Sequence, residues 1–441
     1  MKSLKTNIFF KIGMIFLLIL ILLVPTALVT GLIDEREYRQ IEAINEVSDK
    51  WSGRQTLTGP FISIPYDSYV THNVIQGDSV VAKTEKELRH IHLLPDNLNI
   101  TGSIHPEKRY RGIFEVVVYE SMLNISGGFA GFDFSDVNIE KDNIHFDEAA
   151  INLGISDLKG IEDQITMNWN GKTRTFDSGV TNTNLVSSGI NLQLDLSQDI
   201  SNRNYFNADI RLKGSHKLYF TPVGRTTDVH LAFTWPTPSF NGKFLPDDRE
   251  IKPDGFNAHW NVLHLNRNYP QYWTGYGYDT RNSVFGTDLL LPVDSYKKSD
   301  RVAKYAILFI VLTFLVFFFV EILGNVFIHP IQYLLVGLAL IVFYSLLLSI
   351  SEHLMFNLAY GIATVLTITL VSLYATAILK SKRLAWMIFG ILLIMYAFIF
   401  TIIQLENYAL LLGSIGIFAV LSVVMYYSKN IDWYNIKLKE K

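Results

Sequence analysis

Apolar positions divide the chain into three regimes. Ile12–Ile33 runs 22 residues without a charge, behind Lys2, Lys5 and Lys11. From Leu57 onward the period becomes two. Ile190, Leu192, Leu194 and Leu196 alternate with Asn191, Gln193 and Asp195; Phe206, Ala208, Ile210 and Leu212 alternate with Asn207, Asp209, Arg211 and Lys213; Val229, Leu231, Phe233 and Trp235 alternate with His230, Ala232 and Thr234. Such alternation predicts strands with one buried face. Thr166–Trp169 and Lys172–Phe176 flank Asn170-Gly171, a pair that readily takes the two left-handed conformations of a type I′ hairpin. The third regime is continuously apolar: Tyr305–Val320, closing on Glu321, then Ile331–Ser351, Leu354–Leu379, Leu384–Leu405 and Asn407–Ser428. A bilayer core needs about 20 such residues per helix, so six spans are predicted.

The first apolar run is longer than the core of a secretory signal, and Pro25-Thr26-Ala27 makes a poor cleavage site, so it reads as an uncleaved signal anchor. Ile41, Ile44, Val47 and Trp51 then recur at helical spacing among charges, which continues that helix as a stalk. The Lys/Arg bias of short loops sets orientation. Lys2, Lys5, Lys11, Lys380, Lys382, Arg383, Lys429, Lys437, Lys439 and Lys441 fall on one side. The turns Ser351-Glu352-His353 and Gln404-Leu405-Glu406, on the other, carry none. Both termini are therefore expected in the cytoplasm and residues 34–303 outside. Trp386, Tyr426, Tyr427 and Trp433 are placed at the cytoplasmic interface, where amphipathic rings are favoured.

Composition narrows the chemistry. The 441 residues include no cysteine, which excludes disulfides, a thiol nucleophile, Cys-based metal sites and a lipidated N-terminal Cys. Residues 34–303 carry 27 Lys+Arg against 36 Asp+Glu, while the remainder carries 11 against 5. An acidic block without a basic patch argues against nucleic acid. No nucleophile elbow, His-Glu-x-x-His or phosphate-binding Gly-rich loop is present, so no catalytic residue, cofactor or metal is expected. His90 and His92 share a strand face and are the best metal suspects, but they also share it with Leu88 and Leu94 and lack an evident third ligand; an edge-strand pair with ordinary hydrogen bonds is the preferred reading. His259 and His264, near Trp260, are similarly suggestive and similarly weak.

Two features are candidate sites. Trp235–Pro246 packs three prolines and three aromatics into twelve residues, a rigid loop with little entropy to lose on docking or one folded onto its own domain. Trp235, Phe240, Phe244 and Trp260 are carried forward as exposed partner-binding anchors. Within the bundle, Glu321 and Lys304 are the candidate intramembrane polar residues. A mid-bilayer carboxylate costs roughly 2.5–3.5 kcal/mol on insertion scales, although Glu321 closes its span on the cytoplasmic side and is expected at the headgroups. Glu352-His353 and His329-Pro330 read as solvated turns, and Ser345/Ser349 and Ala359/Ala363 as small-residue helix packing.

Several stretches together carry a resemblance: Asp300–Leu308; His329–Leu340 followed by Phe343-Tyr344 and Ser351-Glu352-His353; Trp235–Pro246; Gly255–Trp260; and Asn430–Tyr434. In content and order the chain resembles the CreD family of bacterial inner-membrane proteins. The resemblance implies an inner (plasma) membrane protein associated with cell-envelope integrity in Gram-negative bacteria, with the external block in the periplasm. It carries no established catalytic residue to transfer.

The expected architecture is thus a polytopic α-helical membrane protein with six spans, both termini inside, and a large β-dominated periplasmic domain between spans 1 and 2. Its parts are residues 1–33 (cytoplasmic N-terminus and anchor), 34–52 (stalk), 53–303 (β-rich domain, divided into two sub-domains near 177–189), 304–428 (five-helix bundle) and 429–441 (tail). The expected function is non-enzymatic: scaffolding or binding an envelope protein or a cell-wall or lipid component, with the lipid bilayer as the other partner. The rivals are a transporter or channel using Glu321 and Lys304, and an envelope hydrolase using converged His and Asp/Glu groups.

Overall fold

The computed structural model describes residues 8–76, 79–132, 137, 139–197, 202–275, 278–290, 295–324 and 326–429. Lys2, Lys5, Trp433, Lys437, Lys439, Lys441 and the stretch Asn430–Tyr434 lie outside the described residues. The chain forms two compact units, one of residues 1–41 with 293–441 and one of residues 42–292.

The first unit is helical. Helix α1, Ile8–Trp51, runs 44 residues through Pro25. Proline removes one backbone donor, and beside it Thr26 donates its hydroxyl to Leu22 O at 2.8 Å and Thr30 to Thr26 O at 3.1 Å, the side-chain back-bonding that membrane helices tolerate around proline. α2, Ser295–Lys304, and α3, Ala306–Gly324, follow with a 43° bend at Tyr305. α4 (Pro330–Ser351), α5 (Phe356–Leu379), α6 (Lys382–Gln404) and α7 (Ala409–Ser428) complete the set. Among the described residues, five helices are long and apolar enough to cross a membrane, or six if α2–α3 is one broken span. Ala359 and Ala363 are fully buried on α5, where small side chains let helices approach. The Tyr360 hydroxyl donates to Tyr396 O at 2.8 Å, tying α5 to α6. The turn residues expected to be solvated are partly engaged: Glu352 meets Arg36 at 3.5 Å and the Tyr296 hydroxyl at 3.2 Å.

The second unit is built of strands. In chain order they are β1 (Gln55–Gln76), β2 (Ser79–Leu93), β3 (Asn97–Arg111), β4 (Phe114–Phe129), β5 (Ala149–Ile155), β6 (Thr166–Trp169), β7 (Lys172–Thr175), β8 (Asp177–Ser178) and β9 (Gly189–Leu194). They continue with β10 (Asn204–Ser215), β11 (Lys217–Thr221), β12 (Thr226–Phe233), β13 (Pro238–Gly242), β14 (Asp248–Lys252), β15 (Gly255–Leu263), β16 (Tyr272–Thr274) and β17 (Phe285–Leu289). One sheet runs β13-β17-β11-β1-β5-β9-β8, with β2 on β1 and β16 on β2; the other runs β14-β15-β12-β3-β4-β10-β6-β7. The alternating residues of β10 and β12 are buried and exposed in turn. The Asn170-Gly171 turn has φ of 50° and 84°, the left-handed pair such a hairpin requires.

The division expected at 177–189 is overturned. Parallel pairings join β1 to β11, with Leu57 opposite Phe220, and β3 to β12, with Ile100 opposite Val229. Strands from both sides of the supposed boundary therefore alternate within each sheet, and apolar residues of both sheets fill a single core.

Candidate functional site

The helical unit holds a buried ion pair. The start of α1 places Lys11 and the end of α3 places Glu321; the Lys11 Nζ lies 2.8 Å from Glu321 Oε1, with the side chains 5% and 1% exposed. Lys11 Nζ also donates to Ile328 O. Glu321 accepts from Ile328 N at 3.2 Å and from the Tyr333 hydroxyl at 2.9 Å. The ammonium lies 4.5 Å from the Phe327 ring centroid and 5.4 Å from that of Tyr333, and Phe314 meets the Tyr333 ring edge-on at 5.4 Å. Pro330 at the first position of α4, with His329 capping, starts that helix where Tyr333 can reach back. A charge out of water is tolerated when a partner and hydrogen bonds satisfy it.

One expectation is corrected here. Glu321 itself is enclosed by protein, where Lys11 neutralises it and Tyr333 completes its hydrogen bonding. Lys304, expected as a polar residue within the bundle, is instead exposed and pairs with Asp300 one helical turn away at 2.6 Å. From sequence alone, Lys11 is legible only as an orientation charge. Lys11 borders the start of one apolar run and Glu321 the end of the next, and antiparallel neighbours bring such positions to one end. That was the available signal.

The rings expected to be exposed are packed inward. Trp260 is fully buried, with Phe240 edge-on at 5.9 Å and Phe285 at 5.7 Å. Phe244 meets Phe285 at 6.0 Å, and both Phe240 and Phe244 are partly buried against the core. Trp235 is buried and donates its indole N–H to Leu290 O at 3.1 Å. The reason is local: Pro238–Gly242 forms β13 and pairs with β17, so the loop closes onto its own domain.

The histidines separate as well. His92 is buried, with Nδ1 3.0 Å from Ser63 Oγ, and His90 Nδ1 lies 2.7 Å from Asn182 Nδ2. They do not sit on an edge, since β2 at this point lies between β1 and β16, with His92 opposite Ser63 on one side and Trp273 on the other. Burial, with a smaller contribution from His90, holds the His92 pKa down to about 4; burial lowers that of His90. Neither ring has a carboxylate among these partners, so the pair lacks a base-orienting group. His259 and His264 are not partners: His259 bonds Asp228 at 3.0 Å and stacks on His230, whereas His264 opens a 3-10 turn. Asp228 and His230 were not singled out from sequence, because their approach to His259 depends on strand register.

A family model described as inner membrane protein CreD matches residues 7–434. The inner membrane protein CreD of Escherichia coli (strain K12) is 33% identical over 441 residues, covering 99% of this chain and 96% of its own. Among solved structures, an M1 zinc metallopeptidase from Deinococcus radiodurans shares 7% identity, with 42% of each chain covered and a TM-score of 0.20, a likeness too low to inform fold or chemistry.

Proposed function

The chain belongs to the CreD family of inner membrane proteins, and from that premise we propose that it supports cell-envelope integrity as a non-enzymatic scaffold. In this reading six spans, with α2–α3 counted as one, leave both termini in the cytoplasm and the β unit in the periplasm. The basic residues Lys380, Lys382 and Arg383 at the α5–α6 turn, against none in Ser351-Glu352-His353, support that orientation.

One observation carries the scaffold reading. Among the described residues of the helical unit, the buried charges are Lys11 and Glu321, and they satisfy each other, Tyr333 and the chain at Ile328. A proton or ion route needs polar groups spaced along the spans; a closed pair at one end of the helices instead locks α1 to α3 and α4. The helical unit is then an anchor, and binding falls to the β unit.

With the Trp235–Pro246 rings turned inward, the surface best suited to binding an envelope protein is the β1–β2 ribbon. From Ser68 and Glu87 outward these strands pair only with each other among the described residues. Both edges are open to an added strand, and Tyr69 and Leu88 are exposed beside its base.

The test is complementation of a null strain, scored by entry of a normally excluded dye. The paired variant Lys11→Met with Glu321→Gln, which removes both charges and keeps an acceptor for Tyr333, is expected to insert at normal levels and restore the barrier. A normally inserted paired variant that fails would favour a conduit using Glu321. Replacing residues 70–85 with a short turn is expected to abolish rescue while the protein remains folded and abundant; full rescue would remove the ribbon from the mechanism.

A further inference from the structure

On the outer face of the second sheet, β12 and β15 bring two imidazoles together. His230 and His259 are directly opposite in register, and their rings lie flat on one another, 3.9 Å apart between centroids and 5° from parallel. Both turn Nε2 toward one carboxylate. His230 Nε2 lies 2.7 Å from Asp228 Oδ1 and His259 Nε2 lies 3.0 Å from Asp228 Oδ2. One ligand atom from each of the three residues falls within 4.8 Å of the others. Because the rings are parallel, their in-plane lone pairs do not converge as they stand; loading an ion requires the two imidazoles to splay so that both Nε2 atoms face one point at bond lengths of roughly 2.0–2.2 Å.

The surroundings orient these ligands. Asn261 Nδ2 donates to Asp228 Oδ2 at 3.0 Å, fixing the carboxylate plane. On the far side of its ring, His259 Nδ1 faces Asp248 Oδ2 at 3.6 Å. A carboxylate behind a histidine, with the other ring nitrogen turned to a shared point, is the outer arrangement that metal-ligating histidines use. The face opens on a cleft of about 470 Å³ lined by Thr101, His230, Asp248, Glu250, Asn257 and His259, which leaves room for a water as fourth ligand.

We propose that Asp228, His230 and His259 form a binding site for a divalent transition-metal ion, with Asn261 and Asp248 as positioning residues. Two imidazoles and one carboxylate select zinc-like ions over calcium or magnesium, which prefer all-oxygen shells. Three protein ligands with an open fourth position make the site exchangeable.

The test uses the full chain in detergent, purified without a polyhistidine tag and dialysed against micromolar Zn²⁺, with bound metal measured by mass spectrometry. The expected result is one zinc per chain. His230→Asn and His259→Asn each weaken binding at least tenfold, His90→Asn leaves it unchanged, and zinc raises the melting midpoint of the parent but not of the two variants. Melts in chelator confirm that the variants fold. Copper(II) loaded in place of zinc is expected to show hyperfine coupling to two nitrogens. No binding by the parent at micromolar zinc overturns the proposal, as does binding that survives in both folded variants.

Discussion

At the residue scale the structure depends on groups satisfied in pairs. Removing one member of a buried ion pair leaves an uncompensated charge, which costs about 3–5 kcal/mol, whereas replacing both is often neutral. Glu321→Gln and Lys11→Met are therefore each expected to lower the melting midpoint and the membrane abundance, with the paired variant recovering most of both; additive losses would mean the pair is not coupled. A second prediction concerns pH. Burial holds His92 at about 4, and burial, helped by Arg54 and opposed by Asp288, does the same for His216. A histidine depressed from 6.5 favours the folded state while neutral, so its contribution is complete above pH 6.5 and is lost as pH falls toward 4. At about 1.4 kcal/mol per unit, each is worth about 3 kcal/mol. Unfolding of the β unit followed between pH 7 and 4 should show this loss, and His92→Gln should flatten it; an unchanged slope would assign the acid sensitivity elsewhere.

At the scale of elements, close packing fixes which helices and strands meet. Gly337 on α4 leaves a gap filled by α1: a Cβ there would lie 2.2 Å from Leu22 Cδ1 and 3.0 Å from Phe314 Cζ. Gly337→Ala is expected to cost about 1–3 kcal/mol through overpacking, and Leu22→Ala in the same chain to recover part of it. The double-variant melt measures this, and independence of the two changes would place α1 elsewhere. Trp260→Ala, in the core, should cost about 3–5 kcal/mol. Period alone made most elements legible. The alternation through Phe206–Lys213 and Val229–Phe233 marked β10 and β12, Asn170-Gly171 marked the β6–β7 turn, and the apolar runs after residue 330 marked α4 to α7 within two residues or so. Partnership was not legible. Nothing local in Leu57 announces Phe220, nothing in His230 announces His259, and Trp260 is as hydrophobic on a surface as in a core. Register and tertiary closure decide such questions, and both act between segments far apart in the chain.

At the scale of the whole molecule, two units alternate in sequence, since the β unit is inserted between the first helix and the rest. Its core is made from its own residues, so residues 42–292 produced alone are expected to melt in one cooperative step; a broad or absent transition would mean that it needs the helices. The absence of cysteine makes orientation directly measurable. A single Cys at Asn124 is expected to react with a membrane-impermeant maleimide once the outer membrane is permeabilised, and one at Lys380 only after the inner membrane is broken; the reverse pattern would invert the topology. The interrupted order also gives the Lys11–Glu321 pair a history. The ribosome makes the lysine early and the glutamate some 300 residues later, a gap of about 15–60 s at roughly 5–20 residues per second. Throughout that interval the ammonium has no carboxylate, and Phe327 and Tyr333 do not yet exist. The first helix must wait with its lysine unpaired and dock only when the late helices arrive. Biogenesis therefore contains a waiting period, and a product truncated within it carries an unpaired charge by which membrane quality control can tell it from the finished protein.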